Sequence, residues 1–142
     1  MTTTADLRAV VETYWSAAEA RDWDAFAATL ADDVLYELPQ TCERVRGKEP
    51  YLRFSRALMG ARSVRVERVV ADAGARRAAV RTRSTTDAAA GSGAAGGSAA
   101  PEELLALHFF AFDETGRISG ITDFRPEPYE SPADRDHLVE RC

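Results

Sequence analysis

From Ala5 to Ala20 the large apolar side chains fall at Leu7, Val10, Val11, Tyr14 and Trp15, with Ala18 beyond them. That is the i, i+3, i+4, i+7 spacing of one helix face. Asp22 is a favoured N-cap, and Trp23, Phe26, Ala27 and Leu30 repeat the spacing, predicting a second helix that ends before Asp32 and Asp33. Val34 to Leu38 reads as a short strand stopped by Pro39, and TCERVRG as a loop. Pro50 opens a third helix with Tyr51, Phe54 and Leu58 on one face and Gly60 at its end. The period then changes to two. Val64, Val66 and Val69 mark a strand from Ser63 to Asp72, and Gly74 lies in a turn. A further strand runs from Arg76 to Asp87, where Val80, Thr82 and Ser84 alternate with Arg81, Arg83 and Thr85. The tract from Ala88 to Ala100 has no charge and no large side chain, so it predicts a flexible loop between two strands. Two aromatic-rich runs then flank DETGR between Leu104 and Arg125, a hairpin whose Gly116 supplies a positive φ. Beyond it, Pro126, Pro128 and Pro132 exclude a regular helix, leaving a tail over 126–142 with one short helical turn from Asp134 to Arg141.

Helices first and strands later predict an α+β fold, with helices packed on one side of a mostly antiparallel sheet. Both faces of the final hairpin are apolar: Leu105, Leu107, Phe109 and Ile121 alternate with Phe110, Phe112, Ile118 and Phe124. The helices cover one face, and a symmetric dimer is the expected cover for the other.

Two titratable residues interrupt these apolar runs, His108 on one strand and Asp123 on the next. A regular register pairing Phe112 with Ile118 sets His108 opposite Thr122 and Asp123 opposite Leu107, on opposite faces. One β-bulge would bring the two together, and bulges concentrate near active sites.

At 142 residues the chain is expected to form a single domain, 1–142, with a substantial core. Its net charge of −5 argues against nucleic acid as a partner. No apolar run reaches the roughly 20 residues of a membrane helix, and MTTTADLRAVVE lacks the apolar core of a secretory signal. Cys42 and Cys142 offer neither metal spacing nor a convincing disulfide, which makes a cytoplasmic setting the expectation. No nucleotide-binding glycine motif or metal cluster is present in the sequence, so no cofactor and no metal is expected.

The runs YWSAAEARDWDAFAATLADDVLYELP, RGKEPYLRF and FDETGRISGITDF resemble the SnoaL-like branch of the nuclear transport factor 2-like superfamily, which also holds ketosteroid isomerase, limonene epoxide hydrolase and polyketide cyclases. The resemblance extends from about Ala5 to Tyr129, and the tract from Ala88 to Ala100 departs from it. It implies a cone-shaped α+β barrel around an apolar pocket, often a homodimer through the outer sheet face. It places Asp123 where epoxide hydrolases activate water, His108 and Tyr14 at oxyanion-hole positions of the isomerases, and Tyr36 where a tyrosine holds the hydrolytic water. Leu38 occupies the position of the isomerase base. The Arg-x-Asp pair of the epoxide hydrolases would fall near Arg81 and Arg83, with Glu37 the available acid.

A carboxyl group enclosed by Leu, Phe and Ile loses hydration, which favours its protonated form and suits it to proton exchange near neutral pH. Asp123 is therefore the candidate acid/base, against the alternative of an outward carboxylate paired with Arg125. His108 is its candidate partner or oxyanion donor, or a residue of the dimer face. Tyr14 and Tyr36 are candidate hydrogen-bond donors, against the alternative of core packing with the hydroxyl bonded to backbone. Trp15, Trp23, Phe26, Tyr51 and Phe54 read individually as core, some of which must line a hollow cone, and with Leu107, Phe109 and Ile121 they are the candidate pocket residues; Arg81 is a candidate contact to an oxygen-rich ligand, against the reading of Arg81 and Arg83 as a solvated strand face. The function expected is that of an isomerase or cyclase acting on a small hydrophobic organic molecule of polyketide or terpenoid kind. An epoxide hydrolase and a non-catalytic hydrophobic-ligand-binding dimer are the alternatives. The tract from Ala88 to Ala100 is a candidate lid.

Overall fold

The computed structural model describes residues 2–86, 102–127, 133–135 and 137–140. Helix α1 (Thr4–Ala20) begins at a reciprocal cap: Thr3 Oγ1 accepts the Asp6 N–H at 3.1 Å, and Asp6 Oδ2 accepts the Thr3 N–H at 2.8 Å. Its apolar face buries Leu7, Val11, Tyr14, Ala17 and Ala18. The helix stops at Arg21, whose φ of 59° lies in the left-handed region that few non-glycine residues enter. The Arg21 guanidinium donates to the carbonyls of Ala18, Gly60 and Arg62 and so ties this helix end to a neighbouring turn.

Asp22 caps α2 (Trp23–Ala28) by accepting the Ala25 N–H. This helix is shorter than the apolar spacing predicts. The Thr29 hydroxyl donates to Phe26 O at 2.7 Å, and Thr29 O accepts the Ile118 N–H at 2.8 Å, so the chain passes directly into the sheet. Leu30 consequently starts strand β1 (Leu30–Leu38) instead of completing the helix. After a single 3-10 turn, Pro39–Thr41, the segment read as a loop supplies a four-residue edge strand, β2 (Glu43–Arg46). Helix α3 (Lys48–Met59) has Pro50 in its first turn and buries Tyr51, Leu52, Ser55 and Met59.

Strands β3 (Arg62–Asp72), β4 (Arg77–Thr86), β5 (Glu102–Phe112) and β6 (Ile118–Phe124) complete one open sheet of order β2-β1-β6-β5-β4-β3. All neighbours are antiparallel except β1 and β6, which run parallel. The arrangement is α+β with a mixed sheet that does not close, in keeping with the cone-shaped fold. Gly116, at φ 83°, turns the β5–β6 hairpin.

Phe112 pairs with Ile118, but Ala111 pairs with Gly120, so Ser119 is an extra residue on β6. From Gly120 onward the phase is reset, and His108 stands opposite Asp123. The same step moves Ile121 to the helix-covered side with Phe110, Phe112 and Ile118. It turns Phe124 to the other side, where its ring meets Phe109 at 5.7 Å between centroids. The alternation expected of Ile121 and Phe124 is thus reversed by one residue of backbone.

In the tail a 3-10 turn, Ala133–Arg135, stands where a short helical turn was expected from Asp134. The tract from Ala88 to Ala100 lies outside the described residues. Among the described residues, no helix is long and apolar enough to cross a membrane.

Candidate active site

Four strands bring one polar chain together beneath the helices. Asp123 on β6 and His108 on β5 are cross-strand partners, and the imidazole Nδ1 lies 2.6 Å from Asp123 Oδ1. Tyr36 enters from β1. It pairs with Ile121 in the parallel ladder, so its hydroxyl reaches along β6 and donates to Asp123 Oδ2 at 2.7 Å. Thr82 enters from β4, diagonal to His108, and its Oγ1 lies 2.7 Å from His108 Nε2. With Asp123 ionised, both carboxylate oxygens accept a hydrogen bond and His108 carries a proton on Nδ1. Thr82, Tyr36, His108 and Asp123 are 2%, 1%, 6% and 4% exposed, so this chain is sequestered from bulk water.

Asp123 is therefore not the isolated acid among hydrocarbons that the sequence suggests, but one member of a bonded set. Its orientation comes from the Ser119 bulge. Without that step, alternation would turn it to the outer face.

The chain borders a pocket between the helices and the sheet, with about 530 Å³ of empty space including its open mouth. Tyr14, Trp15 and Phe26 line it from the helices, Tyr51 and Ser55 from α3, and His108, Asp123 and Thr82 from the sheet. The Tyr14 and Tyr51 hydroxyls are hydrogen-bonded to each other, and Tyr51 also bonds Ser55. Burial holds the phenols of Tyr14, Tyr36 and Tyr51 well above the ordinary tyrosine range. The Tyr51 partner and then the Asp123 charge add to this for Tyr14, and the Asp123 charge adds to it for Tyr36 and Tyr51. All three are hydrogen-bond donors at neutral pH.

Other residues expected at the pocket are placed elsewhere. Trp23, the first residue of α2, is half-buried, with its ring against Phe26 and the Arg56 guanidinium 5.9 Å from its centroid. Phe54 stands behind the pocket wall against Tyr36 and Tyr51. Ile121 is buried in the core. Leu107 and Phe109 lie on the opposite sheet face, 38% and 47% exposed, because they alternate with Ala106, His108 and Phe110 along β5. Arg81 is also on that outer face. Glu67 accepts from Arg81 Nε at 3.0 Å and Arg83 Nε at 3.1 Å, and these hydrogen bonds, Arg83 first, hold its carboxyl below the usual range. The acid beside these arginines is thus Glu67. Glu37 pairs with Arg44 instead.

Sequence reasoning did not identify Thr82, Ser84, Ser55 or Arg125 as pocket residues. A signal for the first two existed: small polar residues at Thr82 and Ser84 continue the inward face begun by Val80. Among the described residues, no group of three or more potential metal ligands occurs.

The family model for the SnoaL-like domain matches residues 11–121. A ketosteroid isomerase-like protein from Kribbella flavida DSM 17836 is 40% identical, with a TM-score of 0.83 over 100% of this chain and 93% of the other. A polyketide cyclase-like protein from Xanthomonas campestris pv. campestris is 22% identical, with a TM-score of 0.68 over 86% and 91%. An LEH-like epoxide hydrolase of M. tuberculosis is also 22% identical, with a TM-score of 0.66 over 87% and 84%. No curated protein matches.

Proposed function

Because the chain belongs to the SnoaL-like family, we propose that it is a cofactor-independent isomerase or cyclase acting by proton transfer next to a carbonyl group. The observation that carries this reading is the buried chain Tyr36–Asp123–His108–Thr82, whose Asp123, His108 and Thr82 line the pocket. Its substrate is a small organic molecule of polyketide or terpenoid kind.

Asp123 is the acid/base. Tyr36 and His108 orient its two oxygens, and a carboxylate has lone pairs left for a substrate proton. His108 shares the proton load, so a proton taken from one substrate atom can be returned to another. Thr82 fixes the far nitrogen of the imidazole. Tyr14, backed by Tyr51, is a donor toward the oxygen on which negative charge develops. A positioned acid/base of this sort contributes roughly 10²- to 10⁴-fold in rate. Leu38 leaves the isomerase base position empty of chemistry, which assigns that work to Asp123.

Epoxide opening by an arginine–acid pair has less support, because Glu67 meets Arg81 and Arg83 on the outer face of the sheet. A carrier of hydrophobic ligands has no use for a buried Asp123–His108–Thr82 set lining the pocket.

Exchange of α-protons in D2O tests the proposal on simple ketones. Ring ketones from cyclohexanone to 1-tetralone are incubated with native protein and with Asp123→Asn, and deuterium uptake is followed by NMR. We expect the native protein to accelerate exchange of at least one ketone and the variant to lose roughly 10²- to 10⁴-fold. Equal exchange by both proteins, or none by the native protein, overturns the reading.

A further inference from the structure

Among the buried side-chain groups of the pocket, one donor is left without a protein partner. Tyr36 is committed to Asp123 and Thr82 to His108, while Tyr14, hydrogen-bonded to Tyr51, is already the oxyanion donor of the proposed chemistry. The indole nitrogen of Trp15 is different. It is buried and has no hydrogen-bond partner, the one such side-chain nitrogen or oxygen among the described residues.

An indole N–H only donates. Leaving a buried donor unmatched costs about 1–3 kcal/mol, so an unmatched donor in a folded protein calls for an explanation. Trp15 follows Tyr14 on α1 and lines the same pocket. Its ring meets His108 edge-on, with centroids 4.6 Å apart and planes at 62°. The unpaired donor therefore belongs to a ring packed against His108.

We propose that the Trp15 indole N–H donates to the carbonyl oxygen of the ligand beside His108, and that this bond makes the pocket select ketones over hydrocarbons of the same shape. The inference rests on the reading of the pocket as a site for carbonyl compounds and adds a second donor to the carbonyl beside Tyr14. A donor-only group suits an acceptor-only oxygen. A bond to a ketone becomes stronger as the oxygen gains negative charge during removal of the α-proton. Trp15 then contributes to binding and, more strongly, to the rate.

The test compares 1-tetralone with tetralin, which has the same bicyclic frame without the oxygen. Binding is measured by calorimetry, and the two indole N–H resonances are followed in ¹⁵N-labelled protein, assigned with Trp15→Phe and Trp23→Phe. We expect 1-tetralone to bind more tightly than tetralin and to move the Trp15 N–H signal downfield, while tetralin leaves that signal in place. In Trp15→Phe, affinity for 1-tetralone should fall roughly 3- to 10-fold, the equivalent of one net hydrogen bond. Affinity for tetralin should hold, and the exchange rate at saturation should fall further than the affinity.

Equal weakening of both ligands would make Trp15 a packing residue only. An unmoved indole signal on 1-tetralone binding, or no binding of 1-tetralone by the native protein, also overturns the proposal. Because these readouts are binding and resonance position, they can fail while Asp123-dependent exchange stands. They can equally succeed where no exchange is catalysed.

Discussion

His108 Nδ1 lies 2.6 Å from Asp123 Oδ1 on the adjacent strand, with both side chains almost wholly removed from solvent. The pair is a structural tie as well as a candidate site. A hydrogen bond to a charged group contributes about 1.5–3 kcal/mol. His108→Ala should therefore lower unfolding free energy by at least that amount in urea denaturation. Combined with Asp123→Asn, the loss should be smaller than the sum of the single losses, because the second change removes a group already deprived of its partner. Strict additivity would mean that the two side chains do not interact.

Thr82→Val keeps the volume of the side chain and removes the hydroxyl that meets His108 Nε2. The α-proton exchange rate should drop about 5- to 30-fold, equivalent to one or two kcal/mol. The imidazole ¹⁵N shifts should report a changed tautomer balance while the circular dichroism spectrum is retained. Wild-type exchange together with wild-type imidazole shifts would remove Thr82 from the relay.

The buried phenols predict a sharp loss of stability in alkali. Burial raises the folded-state values of Tyr14, Tyr36 and Tyr51 above the unfolded value near 10. Below that value both states are protonated and this contribution is complete. Above it, the unfolded chain releases protons that the folded chain retains, and stability falls by about 1.4 kcal/mol per pH unit for each phenol. Absorbance at 295 nm should therefore show these three tyrosines ionising together with unfolding; the fourth, Tyr129, lies outside the described residues. Gradual ionisation of all four in folded protein would contradict the burial.

The outer sheet face presents Val70, Leu107 and Phe109 at 61%, 38% and 47% exposure. We propose that a second copy of the chain covers it, as the two-sided apolar pattern of the hairpin suggests. Phe109→Glu should then give a monomer in analytical ultracentrifugation at concentrations where the native protein is a dimer. A monomeric native protein would exclude this arrangement.

Helices α1 and α3 and the final hairpin are legible in the sequence because their apolar spacing is long and regular. The four residues of β2 are not, since Glu43, Arg44, Val45 and Arg46 form an edge strand with almost no apolar signal. Leu30 misleads because helix spacing continues through it, while Thr29 terminates the helix and opens the pairing to Ile118. In the pocket, His108 and Asp123 stand out as polar residues in apolar runs. Thr82 looks like an ordinary strand residue, and its role depends on the diagonal contact to β5, a relation between distant segments. Leu107 and Phe109 lie on the side opposite to the one expected, because composition does not disclose which face of a strand turns inward.

Ser119 makes the final strand a matter of parity. The lettering before it and the lettering after it follow opposite even–odd rules, and Asp123 is readable as an inward residue only by someone who skips a count. Dropping Ser119 altogether should straighten the ladder and keep Asp123 facing His108. One additional residue after Gly120, carried as regular strand, should turn that carboxylate outward while leaving every functional side chain in the sequence.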